Sequence, residues 1–424
     1  IVHPDNSDIV WVAAIGPLWS SGGDRGVYKT TDGGQTWNAT LEIDKHTGAT
    51  DLIIDPRNPD VLYAAAHQRA RHVFTYLGGG PGSAIYKSTD GGETWDKASK
   101  GLPSVDLGRI GLAISPVDPE IIYAIVEAAQ GKGGFYKSTN RGASWSKQGG
   151  HKTSGNYYQE IIADPVDANT VYSMDTWMSV SHNGGKSFSK VGEDTKHVDN
   201  HCMWINPSNN AHWLIGCDGG IYETWDGAKN WDFKENLPVT QFYKVALDND
   251  YPFYNIYGGT QDNNTQGGVS RTENMAGISN ADWKVILGGD GHQPATEPGN
   301  PNIGYAESQR GGMHRIDRIT GEQVFIQPQA GAGEPYERFN WDAPIIISPH
   351  NPAKIYFASY RVWTSDNRGD SWTAISSDLT RDEERITLPI MGRVQSWDNP
   401  WDVGAMSNYN SITSINFNTI FCYL

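Results

Sequence analysis

The chain has 424 residues with 49 Asp and Glu against 33 Lys and Arg, a formal net charge of −16. A field of that sign repels phosphates, which excludes nucleic acid and anionic membrane surfaces as partners. No run of about twenty apolar residues is present, so nothing is expected to insert in a membrane as a helix, and 48 Gly with 16 Trp suit many short strands joined by tight turns.

In chain order, the first strong signal is Thr30-Thr31-Asp32-Gly33-Gly34-Gln35-Thr36-Trp37. An Asp at the third place can accept hydrogen bonds from backbone N–H groups just downstream, and the glycines take positive φ without a Cβ clash, so the segment predicts a hairpin turn. The pattern returns around Asp90, Asn140, Asn183, Asp226 and Asn367, with only Asp or Asn at that place. A second marker runs out of phase with it: an apolar run, a Pro-containing turn and another apolar run, as at Asp55-Pro56 before Val61-Leu62-Tyr63 and Ser348-Pro349 before Ile355-Tyr356. Spacings of roughly 42 to 60 residues match four-stranded repeats.

Together the two markers predict an all-β chain of about eight up-and-down antiparallel sheets, at 1–44, 45–102, 103–150, 151–192, 193–236, 237–285, 286–335 and 336–380. Each buries little alone, so the sheets should stack radially as β-propeller blades, in one large propeller or two tandem ones. Residues 381–424 read as the start of a further, incomplete blade or a tail, with Ser407 to Thr413 as its first strand. Ile1-Val2-His3-Pro4 reads as a strand entering a turn, so a signal peptide is expected to lie outside this sequence. Cys202 and Cys217 flank an apparent hairpin, so a disulfide is the expected reading, with two reduced core thiols as the alternative.

The recurring pattern, Ser/Thr-x-Asp-x-Gly-x-Thr-Trp, resembles the Asp box or BNR repeat of sialidases, sortilins and xyloglucanase-type glycoside hydrolases. In those families the Asp box lies away from the functional surface, so the resemblance implies the fold and leaves the chemistry open. Leu77 to Ser83, Leu107 to Ala113, Gly259 to Asn263 and Tyr305 to Gln309 carry a closer resemblance to secreted bacterial sortilin-like proteins and BNR-repeat glycosyl hydrolases. The Arg cluster and Arg-Ile-Pro motif that sialidase chemistry needs are missing from the sequence.

The units at 237–285 and 286–335 lack the turn pattern, and departures from a local rule are where function concentrates. They carry Gly258 to Asn264 and Gly288 to Gln293, which are either tight blade corners or a ligand-contacting surface of Gln261, Asn263, His292 and Gln293. Asp218, Asp262 and Asp290 end strands of successive units and are candidate acid, base or nucleophile residues for glycoside hydrolysis. His197, Asp199 and His201 would share one face of a strand and could hold a divalent metal, the one cofactor the sequence suggests. Trp397 and Trp401, in a turn-rich stretch, are candidates to stack on sugar rings.

Three functions follow as expectations. The first is an extracellular or cell-surface scaffold binding a polysaccharide or protein ligand through blade-end loops, as the sortilin resemblance implies. The second is a xyloglucanase-like glycoside hydrolase with paired Asp residues, and the third an architectural component of an extracellular assembly. Oligomeric state is not readable from the sequence.

Overall fold

The computed structural model describes residues 1–237, 239–396 and 407–416. Among them the regular structure is strand throughout, apart from four short 3-10 turns, and no helix is long and apolar enough to cross a membrane. The strands form eight four-stranded antiparallel sheets, here called blades one to eight, spanning 2–41, 47–97, 107–149, 161–190, 200–233, 244–287, 295–325 and 345–374. Blade two inserts a two-stranded ribbon, Ala70–His72 with Thr75–Leu77, between its second and third strands.

The chain divides into two compact units, Ile1–Asn236 with Ile386–Gly404, and Leu237–Arg385 with Ala405–Leu424. The first holds blades one to five and the second blades six to eight. Within each, the leading strands of successive blades lie side by side: Thr47–Ile54, Leu107–Ile114 and Ile161–Ala163 in the first unit, Lys244–Leu247, Ala295–Thr296 and Ile345–Ile347 in the second. This is the radial stacking expected of propeller blades.

The sequence pattern becomes a turn in the way its chemistry demands. Asp32 Oδ1 accepts the Thr36 N–H at 2.9 Å while its Oδ2 accepts the Thr36 hydroxyl at 2.6 Å. In Asn140 the same oxygen accepts the Ser144 N–H at 2.9 Å and the amide nitrogen donates to the Ser144 hydroxyl at 2.9 Å. Either residue therefore closes the loop, which is why both appear at this place. The hydroxyl at the first place is the half of the device that the motif reading passed over. Thr30, Ser88, Ser138, Ser181, Thr224 and Ser365 are all buried, and each accepts the N–H four residues on, at 2.8 to 3.1 Å. Ser138→Ala should therefore strand the Gly142 N–H in dry surroundings and cost about 1–3 kcal/mol, read as a lower urea midpoint, with Ser138→Thr closer to wild type.

Except in blade one, the aromatic residue that closes each turn packs against the blade before. Trp95 Nε1 donates to Thr40 Oγ1 of blade one at 3.3 Å. Trp145 Nε1 reaches Ala98 O of blade two at 2.9 Å, Trp231 Nε1 reaches Gly192 O beyond blade four at 2.8 Å, and Trp372 Nε1 reaches Ile326 O beyond blade seven at 2.6 Å. Second-strand residues tie forward instead: Trp11 Nε1 to Gly91 O at 2.9 Å, Tyr63 OH to Arg141 O at 2.9 Å, and Tyr123 OH to Ala168 O at 2.6 Å. Hydrophobic clusters fill the same junctions, as where Tyr63, Ile85, Ile110, Ile122 and Trp145 pack between blades two and three.

Three expectations are corrected. Cys202 and Cys217 are free thiols, one exposed and one half-buried. A register shift between Asn200 and Cys202 pairs Cys202 with Gly216, so Cys217, the next residue along, projects to the opposite face. His197, Asp199 and His201 do not share a strand face, because Asp199 takes φ 63° and the strand begins only at Asn200. Ser407 to Thr413 forms no strand; Asn408 donates to Phe339 O at 3.0 Å and the Ile412 N–H to Ser359 O at 2.7 Å, laying the segment along the second unit.

Candidate functional site

The two blades without the repeated turn bring most of the predicted ligand residues together. In blade six the strands Asn255–Gly259 and Thr265–Val269 are joined by the loop of Gln261, Asp262 and Asn263. The loop closes on itself through the Asn264 carbonyl, which accepts the Thr260 N–H at 3.0 Å and its hydroxyl at 2.9 Å. It is then tied to the segment leading into blade seven: Asn264 N donates to Gly289 O at 2.7 Å and Gly291 N to Thr260 O at 2.9 Å. His292 N continues the chain to Glu307 O at 3.2 Å. Such approach needs glycine, since a Cβ on Gly259 would stand 2.2 Å from His292 O and one on Gly291 2.5 Å from Asn264 O. The loop carries positive φ at Asp262 (20°) and Asn264 (77°), a conformation that costs energy and collects at functional sites. Asp262 and Asp290 thus sit on two loops held directly against each other, Asp262 half-buried and Asp290 8% exposed.

Next to them lies a cluster of polar side chains, several of them buried. His292 is fully buried, stacked on Tyr243 at 5.3 Å and edge-on to Trp341 at 5.9 Å. Burial lowers its pKa, outweighing the nearby Asp342 and Asp290 carboxylates, so the imidazole is neutral at pH 7 and offers one donor and one acceptor. Among the described residues neither ring nitrogen finds a hydrogen-bond partner, and the same holds for Glu307 Oε2 and Asp342 Oδ1. Glu307 is fully buried; its Oε1 accepts the Ala343 N–H at 2.7 Å, and burial raises its pKa well above the ordinary carboxylate value. Lys244 spans the rim, 3.1 Å from Asp342 Oδ2 and 3.1 Å from Gln293 Oε1, while Gln293 Nε2 donates to Ile345 O at 3.0 Å. Gln261 Oε1 accepts the Tyr243 hydroxyl. Buried polar atoms ordinarily have partners, so four without one in the same cluster make it a candidate for contact with a polar ligand.

Tyr243, Lys244, Glu307 and Asp342 were missed in the sequence. Glu307 left a signal, a carboxylate in the otherwise apolar strand Ile303–Ser308. Blade three repeats it: Glu127 also stands two residues before a 3-10 turn with a positive-φ centre, is buried, and accepts the Arg109 N–H at 3.1 Å.

In the first unit Asp218 pairs with His201 at 2.7 Å, which raises the histidine pKa. His197 Nδ1 contacts Val198 O at 2.8 Å and Asp199 accepts the Tyr158 hydroxyl. One ligand atom of His197 lies within 4.8 Å of one of Asp199, and His201 is not part of that group. Trp397 and Trp401 lie outside the described residues.

The family model of the BNR/Asp-box repeat matches residues 86–97. The chain is 27% identical over 268 residues to the xyloglucanase Xgh74A of Acetivibrio thermocellus, covering 59% of this chain and 28% of that protein. It is 27% identical over 228 residues to a xyloglucanase of Hypocrea jecorina, covering 50% of this chain and 24% of that protein. It therefore spans about a quarter of the length of these curated relatives. Among solved structures, the GH74 xyloglucanase from Xanthomonas campestris aligns over 87% of this chain and 69% of its own at 16% identity, with a TM-score of 0.36. With the repeated turn, its hydroxyl lock and the four-stranded sheets all in place, the chain carries the BNR/Asp-box repeat on four-stranded β-propeller blades.

Proposed function

We propose that this chain is part of a glycoside hydrolase acting outside the cell on a xyloglucan-type polysaccharide, with Asp262 and Asp290 as working carboxylates. The observation that carries the reading is the pair of loops: the hydrogen bonds from Asn264 to Gly289 and from Gly291 to Thr260 hold two carboxylates of neighbouring blades in one loop cluster. Glycoside hydrolysis asks for two such groups, one to protonate the leaving oxygen and one to activate water or attack the sugar. Asp262 is the one more open to solvent, and the neutral His292 two residues beyond Asp290 adds hydrogen-bonding capacity without adding charge. The curated relatives are xyloglucanases by name, which supports the enzyme over the binding scaffold and over an architectural role.

Reducing-end release from xyloglucan and other β-glucans tests this. Asp262→Asn and Asp290→Asn should each lower kcat by about a hundredfold with little change in thermal midpoint. Saturable polysaccharide binding with no turnover in the wild-type chain would overturn the hydrolase and restore the scaffold.

A further inference from the structure

The junction between blades six and seven is built differently from its neighbours. Elsewhere within the two units, the ring that closes a blade's turn packs into the preceding junction: Trp95, Trp145 and Trp231, Phe188 at the start of blade four's last strand, and Trp372. In blade eight the ladder pairs Thr364 with Thr373, which sets Trp372 at the next place, opposite Ser365. In blade seven Arg315 pairs with Val324 and Ile316 with Gln323. The two frames superpose through their Pro turns, since Ser348 N to Lys354 O (2.8 Å) corresponds to Glu297 N to Ile303 O (3.0 Å), and Arg368 N to Ala353 O (2.9 Å) to Arg318 N to Asn302 O (2.8 Å). Gln323 therefore stands where the indole stands in the next blade. It even keeps the indole's hydrogen bond: its Nε2 donates to Ile286 O of blade six at 2.7 Å, as Trp372 Nε1 does to Ile326 O.

What Gln323 does not keep is the ring's bulk. The apolar cluster here is reduced to Leu287, Ala306 and Ile316 with Ile286 against them, and beside it opens a groove of about 390 Å³, within the range that holds a small organic ligand. Its walls are Tyr257, Ile286, Ile303 and Ile316, with Gly267 presenting bare backbone and Lys284 and Gln323 at the polar edge. Neither Asp262 nor Asp290 lines it.

We infer that this groove is a binding slot for a small molecule that carries an indole-type aromatic ring. The apolar walls receive the ring faces, the carbonyls and amide at the edge receive its N–H, and the repeat itself shows at the other junctions what shape this space takes when filled.

Calorimetric titration of the intact chain with indole should give saturable binding at one site. Gln323→Trp, which restores the ring from within, should weaken it at least tenfold and raise the thermal midpoint. Gly304→Val, whose added Cβ would meet only Ala295 O at 3.6 Å, narrows the groove from blade seven's second strand and should weaken binding too, so the test survives if Gln323→Trp folds poorly. N-acetyltryptophanamide should bind at least tenfold more weakly than indole; equal affinity would assign the slot to a partner's tryptophan and overturn the small-molecule reading. The proposal fails if indole does not saturate the wild-type chain, if Gly304→Val leaves its affinity unchanged, or if glucan oligosaccharides bind there instead.

Discussion

Trp145→Ala is expected to destabilise the first unit by about 3–5 kcal/mol, the usual loss when a buried indole is removed. Trp145 is 5% exposed, packs in the cluster between blades two and three and donates to Ala98 O at 2.9 Å. Its backbone is fixed as well, with Trp145 N bonded to Lys100 O at 2.8 Å. Truncation thus leaves a cavity, an orphaned carbonyl and a slackened junction together. Trp37, at the same place in blade one, is 41% exposed and bonds only within its own turn, to Gly34 O at 3.2 Å. Trp37→Ala should stay within about 1 kcal/mol. Urea unfolding of the two variants checks the contrast, and equal losses would show that the indole serves its own turn rather than the junction.

The second large effect is in pH dependence. Burial pushes Glu127 up to about 7 from an ordinary 4.5, against opposing hydrogen bonds from the Arg109 and Gly155 N–H groups and the charges of Arg109 and Lys152. A folded-state pKa above the unfolded value means that the folded chain holds its proton more tightly. The associated stability is fully present below about pH 4.5 and is lost as pH rises through about 7. At about 1.36 kcal/mol per pKa unit the loss is about 3 kcal/mol. Asp51, half-buried and raised by desolvation to about 6, works in the same direction. Glu127→Gln keeps a carbonyl oxygen for the Arg109 N–H and has no proton to lose. Its urea midpoint should therefore fall markedly less between pH 5 and pH 8 than that of the wild type; parallel curves would refute the assignment. The repeated turns set the opposite limb: hydrogen bonds from Thr36 and Thr30 lower Asp32 to about 2, and those from Asn230 and Thr224 lower Asp226 to about 2. Their contribution is present above about pH 4 and disappears as pH falls through about 2, so stability should peak in mildly acidic solution.

The turns and the blade plan were legible because their hydrogen bonds run between residues two to four apart, a distance at which a motif carries its own geometry. The pairing of Cys202 was not, because a one-residue register shift beside Asn200 decides which face it joins. The arrangement of His197, Asp199 and His201 was lost for a similar reason, a single positive φ at Asp199. Glu307 became meaningful only when folding brought it the N–H of Ala343, 36 residues away in the next blade's leading segment. Asp262, His292 and Gln293 were singled out by a different route, as residues of units that break the repeat, and their loops meet where the turn rule lapses.

The Gln323 substitution reaches beyond its own groove. Blades that touch only their neighbours share their cohesion link by link, and the links here are unequal: rings clasp most of them, while a slender amide spans blades six and seven. Strain or heat should find that seam first, making it the natural fault line of the second unit and the place where its concerted unfolding begins.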